Sequence, residues 1–464
     1  MRVYNYYSTF KFYFSAQDLG LALVVLLCIL SYGFIRGVSK SETNPLYQYY
    51  FKGLVLKMIG SLAFALVYGI YYNGGDTMSY WYGAEALKNV FYHDPSIYLT
   101  ELFSNPTNEN FFNHFSGETG WPPEWIYKSS RHFFICKVTS IIALFIPGSF
   151  LGITFFMGFI CYQGIWKLFT TVTHHYPALT KNLQIGIFFL PSTLFWCSGI
   201  MKDTIVLAGI CYIVHETDMF LRKDERKNIV RFSLRLIIWG WLIFSCKPYV
   251  IIALSPAWLL WMNYTTLSKI KSPILKYYLI PILFIGGSVT AFQIYSISAG
   301  TSEFSPDNIL DKAMIVRNDF STNSTYGTNR FKAQIVEKNS TGLLRVIPEA
   351  IISGLFRPFI WEAKGPFIML SAFENLFILL YLIYSIFKLR ILGYIRFVKN
   401  EPFLLFAIMF TILLAYMVGF TTILFGALVR FRTPFLPFFV SFIVISAGKI
   451  KQRKFITGYS SDTL

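Results

Sequence analysis

The chain has 464 residues, of which 55% are hydrophobic and only 14% are charged. Soluble domains average about 25% charged residues, so this composition excludes a soluble multidomain protein, and its hydrophobicity excludes a disordered chain. The formal net charge of +17 comes from basic residues scattered between apolar runs, which favours contacts with membrane lipids and phosphate groups and argues against a nucleic-acid partner.

Apolar stretches long enough to cross a bilayer recur along the whole chain. A spanning helix needs about 20 mostly apolar residues. We therefore predict an all-α fold: a polytopic transmembrane helix bundle of about eleven spans, forming a single transmembrane domain over residues 1–464. The predicted spans are 19–35, 54–72, 149–169, 183–197, 203–220, 229–246, 249–266, 276–297, 367–388, 402–424 and 433–448. The stretch 133–147 is short for a crossing, so we favour a re-entrant or interfacial helix there, and a crossing stays open.

The distribution of lysine and arginine between the spans predicts the orientation of the chain. Basic residues cluster in 221–235, 388–399 and 449–454, and such clusters are typical of cytoplasmic segments. The segment 73–131 holds seven acidic residues against three basic ones and is predicted to be external, together with the segment 298–366. We therefore expect a multi-pass protein of the cytoplasmic membrane whose polar site lies on the external face.

Two kinds of chemistry find no support in the sequence. The six cysteines lie in or beside apolar runs, and none forms a CxxC pair or a metal-ligand spacing, so we predict packing roles and no metal site. The sequence also lacks a Walker A loop, a GxGxxG motif after a strand and an HExxH motif, so no nucleotide cofactor or zinc protease chemistry is expected.

The first polar constellation is Asn73-Gly74-Gly75-Asp76, where the second predicted span leaves the membrane. In one interpretation Asp76 is the N-cap of a helix over 77–90 and accepts backbone N–H bonds. In the other it is a carboxylate held at the membrane boundary as a general base or metal ligand, and the two interpretations are compatible. Tyr80 and Gly83 lie one and two turns further along the same helix face, where they either line a pocket or pack.

The second constellation runs from Pro191 to Asp203. Proline interrupts a helix and Ser198-Gly199 permits a turn, so two spans are predicted to meet outside at Lys202-Asp203. In one interpretation Asp203 caps the next helix and Lys202 extends its ammonium to the surface. In the other Lys202 binds phosphate.

Basic residues beside prolines form the third constellation: Lys247, Arg357, and Arg430 with Arg432. Each is interpreted either as a phosphate ligand or as an interfacial anchor, because a guanidinium matches phosphate oxygens bidentately and also suits lipid headgroups. Glu374, inside an apolar span, needs a partner, and we predict an ion pair with an arginine of the preceding Phe356–Ala363 cluster as a structural lock.

Three of these features together resemble the GT-C superfamily of integral-membrane glycosyltransferases: Gly75-Asp76 opening an external segment, the Pro191–Asp203 run, and the late Arg-x-Arg-x-Pro motif of Arg430–Pro434. The resemblance extends over most of the chain. In this chain the acidic segment follows the second span, whereas in the superfamily it follows the first.

The resemblance implies transfer of a sugar from a polyprenyl-phosphate or diphosphate carrier, outside the cytoplasmic membrane, to an acceptor. It implies that Asp76 is the catalytic carboxylate and that Arg430 and Arg432 bind the donor phosphate. No cofactor is expected, and the need for a divalent cation stays open. The other predicted substrate-binding residues are Tyr80, Lys202, Lys247 and Arg357.

Three alternatives stay open, one of which is a purely structural membrane subunit that would not require charges to converge on one face. A polysaccharide polymerase acting on lipid-linked repeat units would use similar external arginines. A lipid or solute transporter should instead carry charges near the bilayer midplane on discontinuous helices.

Overall fold

The structure, a computed structural model, describes residues 14–222, 228–269, 306–322, 329–331 and 340–459. Throughout these residues the regular secondary structure is helical, and pairing of extended backbone is limited to isolated antiparallel bridges. The predicted all-α class is therefore confirmed. The predicted span 276–297 lies outside the described residues.

Several of the described helices begin at a proline, which fits the first helical position because its N–H would be unpaired there in any case. In the first half these are α1 (Ala16–Ser41), α2 (Tyr50–Leu66), α3 (Asp76–His93), α4 (Pro95–Phe103), α5 (Asn108–His114), α6 (Glu124–Tyr127), α7 (Ser130–Ala143), α8 (Phe150–His175), α9 (Thr180–Phe188) and α10 (Pro191–Trp196). In the second half these are α11 (Lys202–Leu221), α12 (Ile229–Cys246), α13 (Pro248–Lys269), α14 (Pro306–Thr322), α15 (Ser340–Phe356), α16 (Pro366–Leu389), α17 (Ile391–Asn400), α18 (Pro402–Thr421), α19 (Phe425–Phe431) and α20 (Leu436–Tyr459).

Within the described residues, seven helical stretches are long and apolar enough to cross a membrane: α1, α2 with the turns that flank it (Pro45–Tyr71), α8, α11, α12, α16 and α18. The helices Phe425–Phe431 and Leu436–Gly448 are bent by 67° relative to each other and make an eighth if they count as one broken span. The chain is thus a polytopic, multi-pass membrane protein.

Three of the predicted spans differ in the structure. The stretch 183–197 is broken, because α9 ends at Phe188 and a new helix begins at Pro191, whose ring cannot continue a helix. Helix α13 covers the stretch 249–266 but does not qualify as a span, and the last predicted span belongs to the bent pair. The predicted topology needs α13 and the broken stretch to cross, and it stays a prediction.

Contacts within the chain divide it into two compact units, where the sequence predicts one domain. The first unit takes the described residues of Met1–Thr170, Thr193–His215 and Arg235–Lys247. In it α1 packs on α2, and α3 packs on α7. The fully buried Tyr50 ring contacts Tyr162 and Trp166, with ring centroids 5.4 and 4.9 Å apart. Aromatic packing of this kind holds α2 against α8.

The predicted external segment 73–131 is a folded set of helices. Its buried centre is the Glu101 carboxylate, which lies 2.6 Å from Nδ1 of His114 and accepts a hydrogen bond from the Tyr127 hydroxyl at 3.1 Å. Burial and the neighbouring carboxylate raise the pKa of Tyr127, so its hydroxyl stays protonated and can donate. This cluster ties α4, α5 and α6 together. Helix α7 covers most of the short stretch 133–147 and is not among the candidate spans.

The second unit takes Thr171–Ser192 and the described residues of Glu216–Leu234 and Pro248–Leu464. Its helices α15 and α18 approach very closely. A Cβ atom on Gly354 would stand 2.1 Å from the Ala415 carbonyl oxygen, and one on Gly419 would stand 1.9 Å from that of Ala350. Only glycine permits this separation, so these two positions set the distance between the helices. Helix α18 also packs on α13 and α20.

The predicted external location of the segment 73–131 can be tested by cysteine labelling. We expect a cysteine at exposed Asn108 to react with a membrane-impermeant maleimide in intact cells, and one at exposed Lys399 to react only after permeabilisation. The background should carry Cys28→Ser, because Cys28 is exposed whereas the other five cysteines are buried. Labelling of the Asn108 position only after the membrane is opened from the cytoplasmic side would contradict the topology.

Candidate functional site

Asp76 is the first helical residue of α3. The preceding Gly75 is the N-cap, with φ of +94°, a conformation that favours glycine, and it offers no side-chain cap. The interpretation of Asp76 as the N-cap is therefore wrong. Its half-buried carboxylate lies in the first turn, where the helix dipole stabilises negative charge. The helix predicted for 77–90 extends to His93.

Tyr80 lies in the packing between α3 and α7. It is fully buried, and its hydroxyl is 2.7 Å from Nδ1 of His132, a residue that the sequence did not single out. A Cβ atom on Gly83 would stand 2.6 Å from the Cys136 sulfur. Of the two interpretations for this face, the structure supports packing, because a fully buried Tyr80 presents no surface to a substrate.

Lys202, Asp203 and Lys247 are all buried in the first unit. Nζ of Lys247 lies 2.5 Å from Oδ1 of Asp203, whose exposed fraction is 0%. Helix α11 begins at Lys202, so Asp203 is an ion-pair partner in the first turn and the N-cap interpretation is wrong. Lys202 is not a surface cation either, because only 7% of it is exposed. The Lys247 charge is compensated internally, as buried charges generally are, which disfavours its predicted role as a phosphate ligand.

Glu374 forms the predicted ion pair, but with a different arginine. Oε2 of Glu374 lies 3.6 Å from Nη2 of Arg432, and Ser192 donates to the same carboxylate through its hydroxyl and, at 3.3 Å, its backbone N–H. Arg432 is fully buried. Its guanidinium is thus engaged inside the protein, and it does not present the free phosphate-binding surface expected from the Arg-x-Arg-x-Pro motif.

The same cluster holds the turn that follows α15. Nη1 of Arg432 donates to the Arg357 backbone carbonyl at 3.4 Å, and Nδ2 of Asn375 donates to the Pro358 carbonyl at 3.1 Å. Glu374 and Asn375, which are neighbours on α16, therefore both stabilise this turn. Asn375 contacts the turn directly, whereas Glu374 acts through Arg432. These contacts hold the backbone from which the Arg357 side chain extends.

Arg357 lines a cavity of about 350 Å³ in the second unit. This volume lies within the range of about 300–1,000 Å³ found for small-molecule sites. Three cations face it against one carboxylate, with aromatic rings between them, so the cavity suits an anionic ligand with an apolar or ring-shaped part. The lining residues are Arg330, Phe331, Arg357, Trp361, Glu362, Lys364 and Phe425.

Residues 329–331 reach the cavity by pairing with the link between α18 and α19. The Phe331 N–H donates to the Ile423 carbonyl at 3.3 Å, and the Phe425 N–H donates to the Asn329 carbonyl at 3.0 Å. The Arg330 guanidinium donates to the carbonyl of Phe320 at 3.2 Å, at the end of α14. Backbone pairing therefore brings a segment distant in sequence to Arg357.

The Arg357 guanidinium is the central cation of this cavity. Its carbon lies 4.1 Å from the Phe331 ring centroid, and the carboxylates of Glu362 and Glu349 lie 3.4 and 3.9 Å away. Within the described residues, its Nε and Nη1 atoms are buried without a hydrogen-bond partner. These are the two nitrogens that face the carboxylates of Glu362 and Glu349, so the guanidinium is ion-paired on this side. The suitability of the cavity for an oxyanion therefore rests on its three cations, which outnumber its one lining carboxylate.

Of the seven predicted site residues, one lines the cavity. Arg430 is half-buried at the end of α19, with its guanidinium carbon 5.9 Å from the Phe431 ring centroid, and it is not among the lining residues. Sequence reasoning missed Arg330 and Lys364, because neither stands in a motif or at a regular spacing from Arg357. The predicted residues Asp76, Tyr80, Lys202 and Lys247 belong to the first unit, and Arg357, Arg430 and Arg432 to the second.

Among the described residues, no group of three or more histidine, cysteine, aspartate or glutamate side chains is arranged to hold a metal ion. Comparisons of the chain with family models, with curated proteins and with solved structures found no match.

Proposed function

We propose that this protein is a membrane glycosyltransferase that takes a sugar from a polyprenyl-phosphate carrier and binds the carrier phosphate at the Arg357 cavity. The observation that carries the proposal is a cavity lined by three cations against one carboxylate, with the Arg357 guanidinium among them. A phosphate offers the negative charge and the paired oxygens to which a guanidinium donates.

The aromatic lining supports a ligand with more than a phosphate. Phe331 and Phe425 are buried, whereas 82% of Trp361 is exposed at the rim. Aromatic faces pack against sugar rings and against apolar chains. A polyprenyl-linked sugar has both, attached to the same phosphate.

The position of the cavity along α16 suits a ligand that arrives from the bilayer. Lys364 lies two residues before α16, a 24-residue candidate span, so the cavity lies at one end of that candidate span. The basic residues of 388–399 lie at the other end of α16 and are predicted to be cytoplasmic. This predicts an external cavity, which a lipid-borne donor can reach without entering the cytoplasm.

Sugar transfer requires cations to stabilise the departing phosphate and a base to take the acceptor proton. The bond between the anomeric carbon and the phosphate oxygen breaks, a bond to the acceptor oxygen forms, and the acceptor proton passes to a base. Arg330, Arg357 and Lys364 supply cations that stabilise the charge on the departing phosphate. The GT-C resemblance implies that Asp76 is this base, and this role is a prediction separate from phosphate binding at the cavity.

Donor binding tests the cavity. We expect Arg357→Ala to weaken binding of a short-chain polyprenyl phosphate to purified protein in nanodiscs by about ten- to a hundredfold, because charge-assisted hydrogen bonds are worth about 1.5–3 kcal/mol. The affinity of Arg357→Lys should lie between those of Arg357→Ala and the unaltered protein, since lysine keeps the charge and loses the planar fork.

Exposed Arg396 on α17 provides the matched control, and Arg396→Ala should bind like the unaltered protein. Unchanged binding in both Arg357→Ala and Arg330→Ala, with melting temperatures confirming the fold, would remove the cavity as the phosphate site. Loss of sugar from polyprenyl-linked donors on incubation with the protein would distinguish a transferase from a transporter.

A further inference from the structure

Two cations lie at the end of α1, in the first unit. Arg36 and Lys40 are four residues apart in the last two turns of this helix, which places them on one face. The chain then passes through the turn Pro45–Tyr49 into α2. The candidate span Pro45–Tyr71 separates this end of α1 from the segment 73–131, which is predicted to be external. The two cations are therefore predicted to lie at the cytoplasmic leaflet.

Three tyrosines contact the Arg36 guanidinium. Its carbon lies 5.6 Å from the Tyr32 ring centroid and 5.2 Å from that of Tyr50. The guanidinium donates hydrogen bonds to the Tyr32 hydroxyl, to Oε1 of Gln163 at 3.4 Å, and to the Tyr47 hydroxyl. These acceptors are all neutral, and they are fewer than the five N–H groups of an arginine. The contacts fix the guanidinium between α1, α2 and α8 without balancing its charge.

Neither cation has a carboxylate partner in the described part of the chain. Glu42, the C-cap of α1, is exposed and pairs with neither. Arg36 is half-buried, and charged groups withdrawn from water are generally paired. Its Nε atom is buried without a hydrogen-bond partner among the described residues, so a ligand reaches the guanidinium through the Nη groups. An anion from outside the chain would supply the missing charge.

Lys40 is directed to the same place. Its Nζ atom lies 5.5 Å from the ring centroid of Tyr47, whose hydroxyl accepts the hydrogen bond from Arg36, so one tyrosine contacts both cations. Lys40 is exposed, which leaves its ammonium open to a ligand. A guanidinium fork beside an ammonium suits the oxygens of a phosphate group, because both form charge-assisted hydrogen bonds with it.

We propose that Arg36 and Lys40 bind the phosphate group of an anionic phospholipid. The surface of α1 favours a lipid over a soluble phosphate, because only 22% of its most apolar window is buried and Ile35 and Val38 are exposed beside the cations. Acyl chains can therefore lie along the helix that carries the phosphate ligands. This site is independent of the Arg357 cavity and of the proposed sugar transfer.

Native mass spectrometry of the protein in detergent tests the site, with phosphatidylglycerol and phosphatidylcholine of equal chain length as the lipids. We expect the first phosphatidylglycerol to bind about tenfold or more tightly than the first phosphatidylcholine. Arg36→Gln should weaken phosphatidylglycerol binding by about tenfold, because it removes charge-assisted hydrogen bonds, and Lys40→Ala should weaken it by a smaller factor. Phosphatidylglycerol should also raise the melting temperature of the unaltered protein more than that of Arg36→Gln.

Lys52 provides the matched control. It is an exposed lysine in the first turn of α2, on the same predicted side of the membrane, and it is not among the residues that contact Arg36. Lys52→Ala should bind phosphatidylglycerol like the unaltered protein. An equal loss in Lys52→Ala and Arg36→Gln would show a general attraction between headgroups and basic residues, and the site would be wrong.

Two further results would overturn the proposal. Equal binding of the two lipids by the unaltered protein would remove the preference for an anionic headgroup. Displacement of phosphatidylglycerol by millimolar inorganic phosphate would identify a soluble phosphate compound as the ligand in place of a lipid. Should Arg36→Gln not fold, Lys40→Ala decides, because its side chain is exposed, and an unchanged phosphatidylglycerol affinity in that variant would contradict the site.

Discussion

Replacing Arg432 by alanine is expected to lower the free energy of unfolding by about 3–5 kcal/mol, because it leaves a buried carboxylate without its cation. Arg432 has an exposed fraction of 0%, and its guanidinium lies 3.6 Å from Glu374. Ser192 binds the same carboxylate, but a neutral hydroxyl cannot replace the compensating charge. The expected readout is a lower melting temperature in detergent.

The double variant Arg432→Met, Glu374→Leu is the sharpest control for this pair. Replacing both members of a buried ion pair by apolar residues of similar size is often neutral, so this variant should recover most of the lost stability. Arg396→Ala, which removes an exposed arginine, should leave the melting temperature unchanged. If Arg432→Ala melts like the unaltered protein, the ion pair has no structural role, and the direct phosphate role of Arg432 regains priority.

Asp76→Asn is expected to reduce sugar transfer by roughly a hundredfold or more, the scale typical of a lost general base, while donor binding stays near normal. Asparagine keeps the size of the side chain but has no carboxylate to accept a proton. Because Asp76 is in the first turn of α3, the lost charge also weakens its interaction with the helix dipole, by about 0.3–1 kcal/mol. Turnover and melting temperature measured together separate these effects.

Glu85 provides the comparison for Asp76. Its carboxylate is paired with Nζ of Lys88 at 2.5 Å, so we expect Glu85→Gln to retain turnover. An Asp76→Asn variant with full activity would take the catalytic role away from Asp76. Glu85 would then be the next acid to test as the base.

Local features of the sequence were sufficient to predict the class of the protein and most of its helices. A backbone in lipid must satisfy its own hydrogen bonds, so long apolar stretches become helices whatever their neighbours are. Helices α1, α8, α16 and α18 therefore lie where the hydropathy predicts them. The break at Pro191 interrupts the span 183–197 that hydropathy predicts, but the proline itself signals the break, because its ring acts on its own backbone.

The partner of each buried charge was decided by the tertiary structure. The sequence predicts that Glu374 needs a cation, but only the packing of α16 beside the α19–α20 bend selects Arg432 over Arg357. Likewise, Arg330 joins Arg357 because residues 329–331 pair with the link after α18. Periodicity tells which residues share a helix face, whereas an ion pair or a cavity depends on which faces meet. Which faces meet depends on contacts between segments far apart in the chain, and a local sequence pattern does not contain this information.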